Sequence, residues 1–239
     1  MEKKLLKRSL SFAMMIAVVF STIIASSFIK ANAAETEKAV TLTQGENTSQ
    51  HDTVQEAVAA VAADNTQAVI TLNKDFEGAG AVVKKDQNIV FNLNGFTWNI
   101  NSLVGSSGTE TNGVQLLQGS TVTIENGTLT SKTAKLLIQN YCDLTIRNAT
   151  LSGQDNLTEI IVSNNNGSTV ITGNSAVQAA AGGIAFDSDK WGGYQGGNVT
   201  LENGQVIGNV NATNGRKISL NGGTVTGDVI ASNYTYQGN

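Results

Sequence analysis

The 239-residue sequence predicts an all-β solenoid, in which the chain winds through repeated strand–turn–strand coils. The main observation is a degenerate phrase of apolar alternation, an Asn/Gly corner and renewed apolar alternation. Its five copies are VTIENGTLTS (122–131), LTIRNATLSG (144–153), VITGNSAVQA (170–179), VTLENGQVIG (199–208) and ISLNGGTVTG (218–227). A looser sixth copy, IVFNLNGFTWNI (89–100), precedes them.

The spacing of the copies supports the same fold class. One apolar position recurs in each of the five copies, at separations of 22, 25, 30 and 19 residues, which suit single coils with loops of varying length. The residues at this position are Ile124, Ile146, Ile171, Leu201 and Leu220. We expect these side chains to point inward and to stack on one another from coil to coil.

Turn chemistry is a third indication. The chain contains no proline, which would remove a backbone donor from a sheet. Asparagine and glycine occupy the corners instead, because both tolerate positive φ angles. The corner dipeptides are Asn-Gly at 94–95, 126–127, 203–204 and 221–222, with Asn148-Ala149 in the corresponding place.

The amino terminus has the organisation of a secretory signal. Basic residues within the first eight positions precede an apolar stretch at 10–29, and Ala31-Asn32-Ala33 provides the small residues that a signal peptidase reads. We interpret residues 1–33 as a signal peptide, so that the mature protein is secreted or cell-surface associated and has no membrane segment. The alternative is an uncleaved anchor, since about 20 apolar residues can span a bilayer.

The charge of the predicted mature chain argues against one class of partner. Residues 1–33 hold five basic residues and one acidic residue, so their removal changes the formal net charge from −4 to −8. Such a chain lacks the positive surface that nucleic acids and anionic lipids require. A nucleic-acid partner is therefore not expected.

One segment before the repeats has helical spacing. Apolar residues at 54, 57, 58 and 61 share one helix face, and Thr53 with Glu56 forms a capping-box pattern. The strand AVITL (68–72) follows. We expect a helix at 52–61 that covers the open end of the first coil.

The order of these segments resembles a known family. TVQEAV (53–58), VITL (69–72), FNLNG (91–95) and the repeats are similar to the pectate-lyase-like superfamily, in particular to non-catalytic β-helical modules of Gram-positive secreted and surface proteins. The resemblance covers nearly all of residues 40–239 and implies a right-handed parallel β-helix of six or seven coils with an N-terminal capping helix. The predicted divisions are a signal peptide (1–33), an N-terminal segment with the helix and first strand (34–87) and β-helix repeats (88–239).

Enzymes of that superfamily need charged side chains on neighbouring coils. Its lyases bind Ca²⁺ through carboxylates and use Arg or Lys as a base, and its hydrolases use clustered Asp residues. The outward position after the inward one holds Glu125, Arg147, Thr172, Glu202 and Asn221. We interpret Glu125 and Arg147 as a structural ion pair between adjacent coils.

The other residues with catalytic potential are not grouped with that pair. The position before the inward one carries hydroxyls rather than paired carboxylates, at Thr123, Thr145, Thr200 and Ser219. His51 precedes the helix, away from the repeats. The single cysteine, Cys142, cannot form an internal disulfide and suits a small packed residue at a strand start. We therefore assign no catalytic residue.

One loop departs from the repeats and is the candidate ligand-binding site. GGIAFDSDKWGGYQGG (182–197) places two aromatic rings beside charged side chains among six glycines. Aromatic rings stack on sugar C–H surfaces while charged groups bond hydroxyls, and the alternative is a solvated loop. Asp187 and Asp189 resemble the start of a Ca²⁺ loop, but Trp191 replaces an expected ligand, so Ca²⁺ is only a candidate and the metal stays unassigned. The candidate residues are Asp187, Asp189, Lys190, Trp191 and Tyr194.

The carboxyl end predicts a further contact surface. Residues 228–236 follow the last phrase without a helix pattern or charged gatekeepers, so a terminal coil would present unpaired strand edges. Either this end associates with another molecule, which would allow self-association through the C-terminal coil, or a larger ancestor has been shortened here.

The predicted function is that of a binding or adhesion protein for a polysaccharide or a surface protein. A polysaccharide lyase or glycoside hydrolase is the first alternative. The second is a self-associating component of an extracellular matrix or envelope.

Overall fold

The computed structural model describes residues 37–153, 158–188 and 196–232. The predicted signal peptide at 1–33 lies outside these ranges. The described chain is mostly β and belongs to a compact unit that begins at Lys38. Its helix, α1, spans Val54–Ala60.

The strands are numbered in chain order. They are β1 (Val40–Gln44), β2 (Asn47–His51), β3 (Gln67–Leu72), β4 (Phe76–Ala79), β5 (Ala81–Val83), β6 (Asn88–Asn92), β7 (Thr97–Ser102), β8 (Asn112–Leu116), β9 (Thr121–Ser131), β10 (Leu136–Asn140), β11 (Asp143–Gly153), β12 (Ile160–Asn164), β13 (Thr169–Thr172), β14 (Ala176–Gln178), β15 (Ile184–Ser188), β16 (Val199–Leu201), β17 (Gln205–Ile207), β18 (Asn209–Thr213), β19 (Ile218–Leu220), β20 (Thr224–Thr226) and β21 (Val229–Ser232).

Parallel pairing groups most of these strands into three stacks. The first is β3-β6-β9-β11-β13-β16-β19, the second β4-β7-β9-β11-β14-β17-β20 and the third β5-β8-β10-β12-β15-β18-β21. The long strands β9 and β11 run through both the first and the second stack. We call each progression through the stacks a pass, and the passes are numbered one (β3 to β5) to seven (β19 to β21). The pairing is consistent with an all-β, solenoid-like fold.

The register of the first stack is the one that the sequence predicts. Ile124 pairs with Ile146, Ile146 with Ile171, Ile171 with Leu201 and Leu201 with Leu220. All but Leu220 are buried, as part of one hydrophobic core that the inward rows of the three stacks share. The predicted inward stack is therefore confirmed through pass six.

The corners between the first and second stacks also follow the prediction. Asn94, Asn126 and Asn148 have positive φ angles of 50° to 57°. At the corner 203–204 the residue with positive φ is Gly204. At the corner that begins with 221–222 it is Gly223. The last corner thus has its positive φ one residue later than the Asn-Gly dipeptide indicates.

A buried polar ladder lies where the third stack ends. Asn140 and Asn164 are fully buried and in register, and Asn140 Nδ2 donates to Asn164 Oδ1 at 2.9 Å. Asn164 Nδ2 donates in turn to Ser188 Oγ at 2.9 Å. Asn164 Oδ1 also accepts from the Thr169 hydroxyl, and Asn140 Oδ1 accepts from the Cys142 backbone N–H. Because buried amides without partners are costly, this saturated network specifies one arrangement of the turns.

The first-pass end of the stacks is covered by α1 and a hairpin. The helix begins after Thr53, whose Oγ1 accepts from the Glu56 backbone N–H at 3.1 Å, while the Glu56 carboxylate accepts from the Asp52 backbone N–H at 3.1 Å. It buries Val54, Ala57 and Val58 and contacts β1, β3 and β5. The predicted helix is confirmed. Strand β1 pairs antiparallel with both β2 and β3, a hairpin that the sequence patterns did not indicate.

Candidate functional site

Asp187 is the predicted site residue that the structure describes. It lies half-buried on β15, between the buried residues Phe186 and Ser188, and so faces outward from the third stack. Its register neighbours on the adjacent strands are Ser163 and Asn211. Asp189, Lys190, Trp191 and Tyr194 lie outside the described residues.

Asp187 belongs to a row of outward polar residues that crosses passes two to six. Consecutive members are separated by 24 residues, and neighbouring strands in a sheet lie about 4.8 Å apart. We name this set the polar row, and it consists of Gln115, Gln139, Ser163, Asp187 and Asn211.

The members of the polar row in passes two to four form hydrogen bonds with one another or with nearby asparagines. Gln115 Nε2 donates to Gln139 Oε1 at 2.8 Å, and Asn112 Nδ2 donates to the same oxygen at 2.9 Å. Ser163 Oγ donates to Asn165 Oδ1 at 2.9 Å. These bonds fix the orientation of the Gln115, Gln139 and Ser163 side chains, which precede Asp187 in the polar row.

Asn211, at the upper end of the row, differs from them. Its Oδ1 atom is buried and accepts no hydrogen bond from the described residues. A buried acceptor without a partner costs about 1–3 kcal/mol, so such atoms are rare in native proteins. A ligand that donates a hydrogen bond here would remove that cost.

The described residues on either side of 189–195 are fixed by contacts with neighbouring passes. The Gly196 backbone N–H donates to the Asn165 carbonyl oxygen at 2.6 Å. At Gly197 a Cβ atom would overlap the carbonyl oxygen of Gly167, so the backbones of two passes are in direct contact. Ser188 ends the buried ladder.

The turn between β18 and β19 contacts Asn198 and Val199 at the start of β16. The Lys217 backbone N–H donates to Asn198 Oδ1 at 3.0 Å, and the Val199 N–H donates to the Lys217 carbonyl at 2.9 Å. In this turn, Arg216 Nε is buried and has no hydrogen-bond partner within the described ranges. This donor lies five residues along the chain from Asn211, and the other buried side-chain atoms without a partner in the described ranges are Trp98 Nε1 and Thr158 Oγ1.

We name Asp187, Asn211 and Arg216 the corner site. Asp187 and Asn211 are register neighbours, and Arg216 follows Asn211 by five residues along the chain. These residues carry a carboxylate, an amide oxygen and a guanidinium N–H, of which the last two lack partners among the described residues. This set can exchange hydrogen bonds with hydroxyl groups, which both donate and accept. Sequence patterns missed Asn211 and Arg216, although the constant 24-residue interval would have located Asn211 from Asp187.

The other predicted roles can be compared with the geometry. Glu125 and Arg147 are register partners, and the Arg147 guanidinium bonds the Glu125 carboxylate, so the predicted ion pair is confirmed. The His51 ring bonds the Ser49 hydroxyl at 2.9 Å on the exposed strand β2. Cys142 is buried. In the described part of the chain, no three His, Cys, Asp or Glu side chains are grouped to hold a metal ion.

Two open cavities lie at the first-pass end, away from the corner site. One, of about 420 Å³, is lined by the β1–β2 hairpin and the segment after α1, and the other, of about 360 Å³, by α1 and β5. Neither contains a residue of the polar row. No helix among residues 37–153, 158–188 and 196–232 has the length and apolar character to cross a bilayer.

Comparison with known proteins gives no match: no family model, no curated protein and no solved structure matches this chain.

Proposed function

We propose that this protein is a secreted or cell-surface binding module that recognises a polysaccharide at the corner site. Its scaffold would be a right-handed parallel β-helix of seven coils, one for each pass. The three parallel stacks, their shared inward rows and the helix over the first pass support that architecture. The signal-like sequence at 1–33 supports export.

The observation that carries the proposal is the pair of unpaired buried atoms on β18 and in the turn that follows it. Asn211 Oδ1 lacks a donor and Arg216 Nε lacks an acceptor among the described residues. Sugar hydroxyls can donate to the one and accept from the other, and the half-buried Asp187 carboxylate beside Asn211 can accept from a further hydroxyl. A ligand of this class would therefore satisfy groups that the fold leaves unsatisfied.

The sequence of the loop supports the same ligand class. Residues 189–195 connect Ser188 to Gly196 and include Trp191 and Tyr194. Along the chain, Trp191 follows Asp187 by four residues and Tyr194 follows it by seven. Aromatic side chains supply the apolar contact area that sugar rings use, while polar groups fix their orientation.

The proposal is tested by affinity electrophoresis of residues 34–239 through gels that contain plant, algal, host or cell-wall polysaccharides. We expect retention by at least one of them, and we expect Asn211→Leu to raise its dissociation constant at least about 10-fold, because a buried hydrogen bond to the ligand is lost. Trp191→Ala should weaken retention as well.

Gln205→Leu is the matched control, because Gln205 is an exposed outward residue of the same pass on the second stack. It should bind like the unmodified protein. Equal retention of the Asn211 and Gln205 variants would place the ligand elsewhere, and absence of retention on every polysaccharide would overturn the proposal. Release of unsaturated or reducing ends would instead identify a lyase or a hydrolase.

A further inference from the structure

The last pass exposes large apolar side chains. The large hydrophobic residues with high exposure are Leu220, Val229 and Ile230, at 52%, 46% and 42%, and all three belong to pass seven. In the first stack, Leu201 sits directly below Leu220 and is 1% exposed. Val210, below Val229, is likewise 1% exposed. Leu220 and Val229 thus continue rows that are otherwise covered by the next pass, whereas Ile230 pairs with Asn211 and extends the outward polar row.

The strand edges of pass seven are open as well. Within the described residues, β19, β20 and β21 each pair on one side only, with β16, β17 and β18. Their other sides present rows of backbone N–H and C=O groups. An apolar face bordered by three open strand edges is a strong template for adding strands.

The opposite end of the stacks is not a suitable partner for this face. There α1 and the β1–β2 hairpin cover the first pass, and β2 is exposed and entirely polar. Head-to-tail stacking of copies would bring the apolar face against this polar edge. The pairing of β1 with β3 shows, however, that these stacks accept an antiparallel strand at an end.

We propose that pass seven is a dimerisation surface, on which a second copy of this chain stacks tail to tail. A twofold axis brings the same face of both copies together, so that apolar rows meet apolar rows and open strands pair antiparallel. The occupant must present three strand edges with the same spacing, and the matching end of a second copy does so. A dimer formed in this way cannot add further copies through the same contact, because pass seven of each copy is already paired.

Sedimentation equilibrium of residues 34–239 tests this proposal. We expect a dimer, and we expect Leu220→Lys to raise its dissociation constant at least about 100-fold, because an unpaired ammonium group would be buried in the contact. Val229→Lys provides an independent disruption in another stack. Thr226→Lys, on the outward side of β20, is the control and should remain dimeric.

Circular dichroism establishes that each variant retains its β structure. A wild-type monomer at high concentration would overturn the proposal. So would a monomer that dimerises after removal of residues 233–239, because that segment would then be the occupant. Open-ended fibres would also contradict it, since a closed twofold contact cannot propagate.

Discussion

At the scale of single residues, the turn that follows the third stack in pass three is organised by buried polar groups. Asn140, Asn164 and Ser188 form a ladder beneath an otherwise apolar interior, and Asn140 Oδ1 holds the backbone N–H of Cys142. The Cys142 thiol is consequently buried beside this network, where its Sγ donates to the Asp143 carbonyl at 3.5 Å. A thiol in such a place is protected from solvent and resists ionisation.

The Cys142 thiol predicts a specific loss of stability at alkaline pH. Burial, assisted by the charge of Asp143 and opposed by a hydrogen bond with Ser120, raises the pKa of Cys142 from 9.0 to about 11. Below pH 9 the thiol is protonated in both folded and unfolded chains. As the pH rises from 9 through 11, the unfolded chain releases this proton first, so the free energy of unfolding falls by about 2–3 kcal/mol.

Chemical denaturation of the wild type and Cys142→Ala between pH 8 and 11 checks this prediction. Other groups titrate in the same range in both proteins, so the difference between the two curves isolates the thiol. We expect the free energy of unfolding of the wild type, relative to that of Cys142→Ala, to fall steadily above pH 9. Parallel curves across the whole range would show that the folded thiol ionises as freely as the unfolded one.

At the scale of elements, α1 is joined to the stacks by one buried side chain. Gln87 is 4% exposed, and its Nε2 atom donates to the carbonyl oxygens of Val58 and Val61 at 3.0 Å. Its Oε1 accepts from the Lys84 backbone N–H at 2.8 Å. The Val58 carbonyl also accepts from the Val61 backbone N–H at 3.3 Å, so Gln87 is its second donor, while the Val61 carbonyl lies just past the end of the helix.

Replacement of Gln87 by methionine removes these bonds while nearly keeping the volume. We expect the free energy of unfolding to fall by about 2–4 kcal/mol, because the Val61 carbonyl and the Lys84 backbone N–H lose their side-chain partner and the Val58 carbonyl loses one of its two donors. Amide exchange in α1 should accelerate more than exchange in β9 and β11. Gln55→Met, on the exposed face of α1, is the control and should change neither quantity. Equal effects of the two variants would mean that the helix is held by apolar contacts alone.

The elements differ in how far the sequence predicts them. The first and second strands of each pass alternate regularly between apolar and polar residues, and the register from Ile124 to Leu220 follows from that alternation. The third strands were missed because Asn140 and Asn164 occupy inward positions and break the pattern. Their constant 24-residue interval was present in the sequence, but the variable loops between the other strands conceal it.

The hairpin and the corner site show a second kind of limit. Strand β2 has the sequence NTSQH, which contains no apolar alternation, and its position depends on pairing with β1. Asn211 and Arg216 are candidates because each has a buried polar atom without a hydrogen-bond partner among the described residues. That burial depends on the neighbouring passes. Asp187 was identified from the composition of residues 182–197, but the prediction that all of them form a loop was wrong, because Ile184–Ser188 form strand β15. Local patterns therefore locate single segments, whereas a site built from several passes requires the register.

At the scale of the whole molecule, the two ends of the stacks are built differently. The first-pass end carries α1 and an antiparallel hairpin, while pass seven leaves three strands with one neighbour each among the described residues. In a stack of similar units, stability is the sum of each unit and its contacts with the next. The unit with one neighbour contributes least and opens at the lowest cost.

This asymmetry predicts a gradient of amide exchange that depends on protein concentration. In the monomeric Leu220→Lys variant, we expect amides of β19 and β20 to exchange at least about 10-fold faster than those of β9 and β11, whose strands are paired on both sides. In the wild type, the same amides should become protected as the concentration rises, because dimerisation gives pass seven a second neighbour. Hydrogen exchange measured by mass spectrometry at two protein concentrations determines both the difference in exchange rate between strands and its dependence on concentration. Uniform protection in the variant would mean that the last pass unfolds only together with the rest of the stack, so that its open edge does not weaken it.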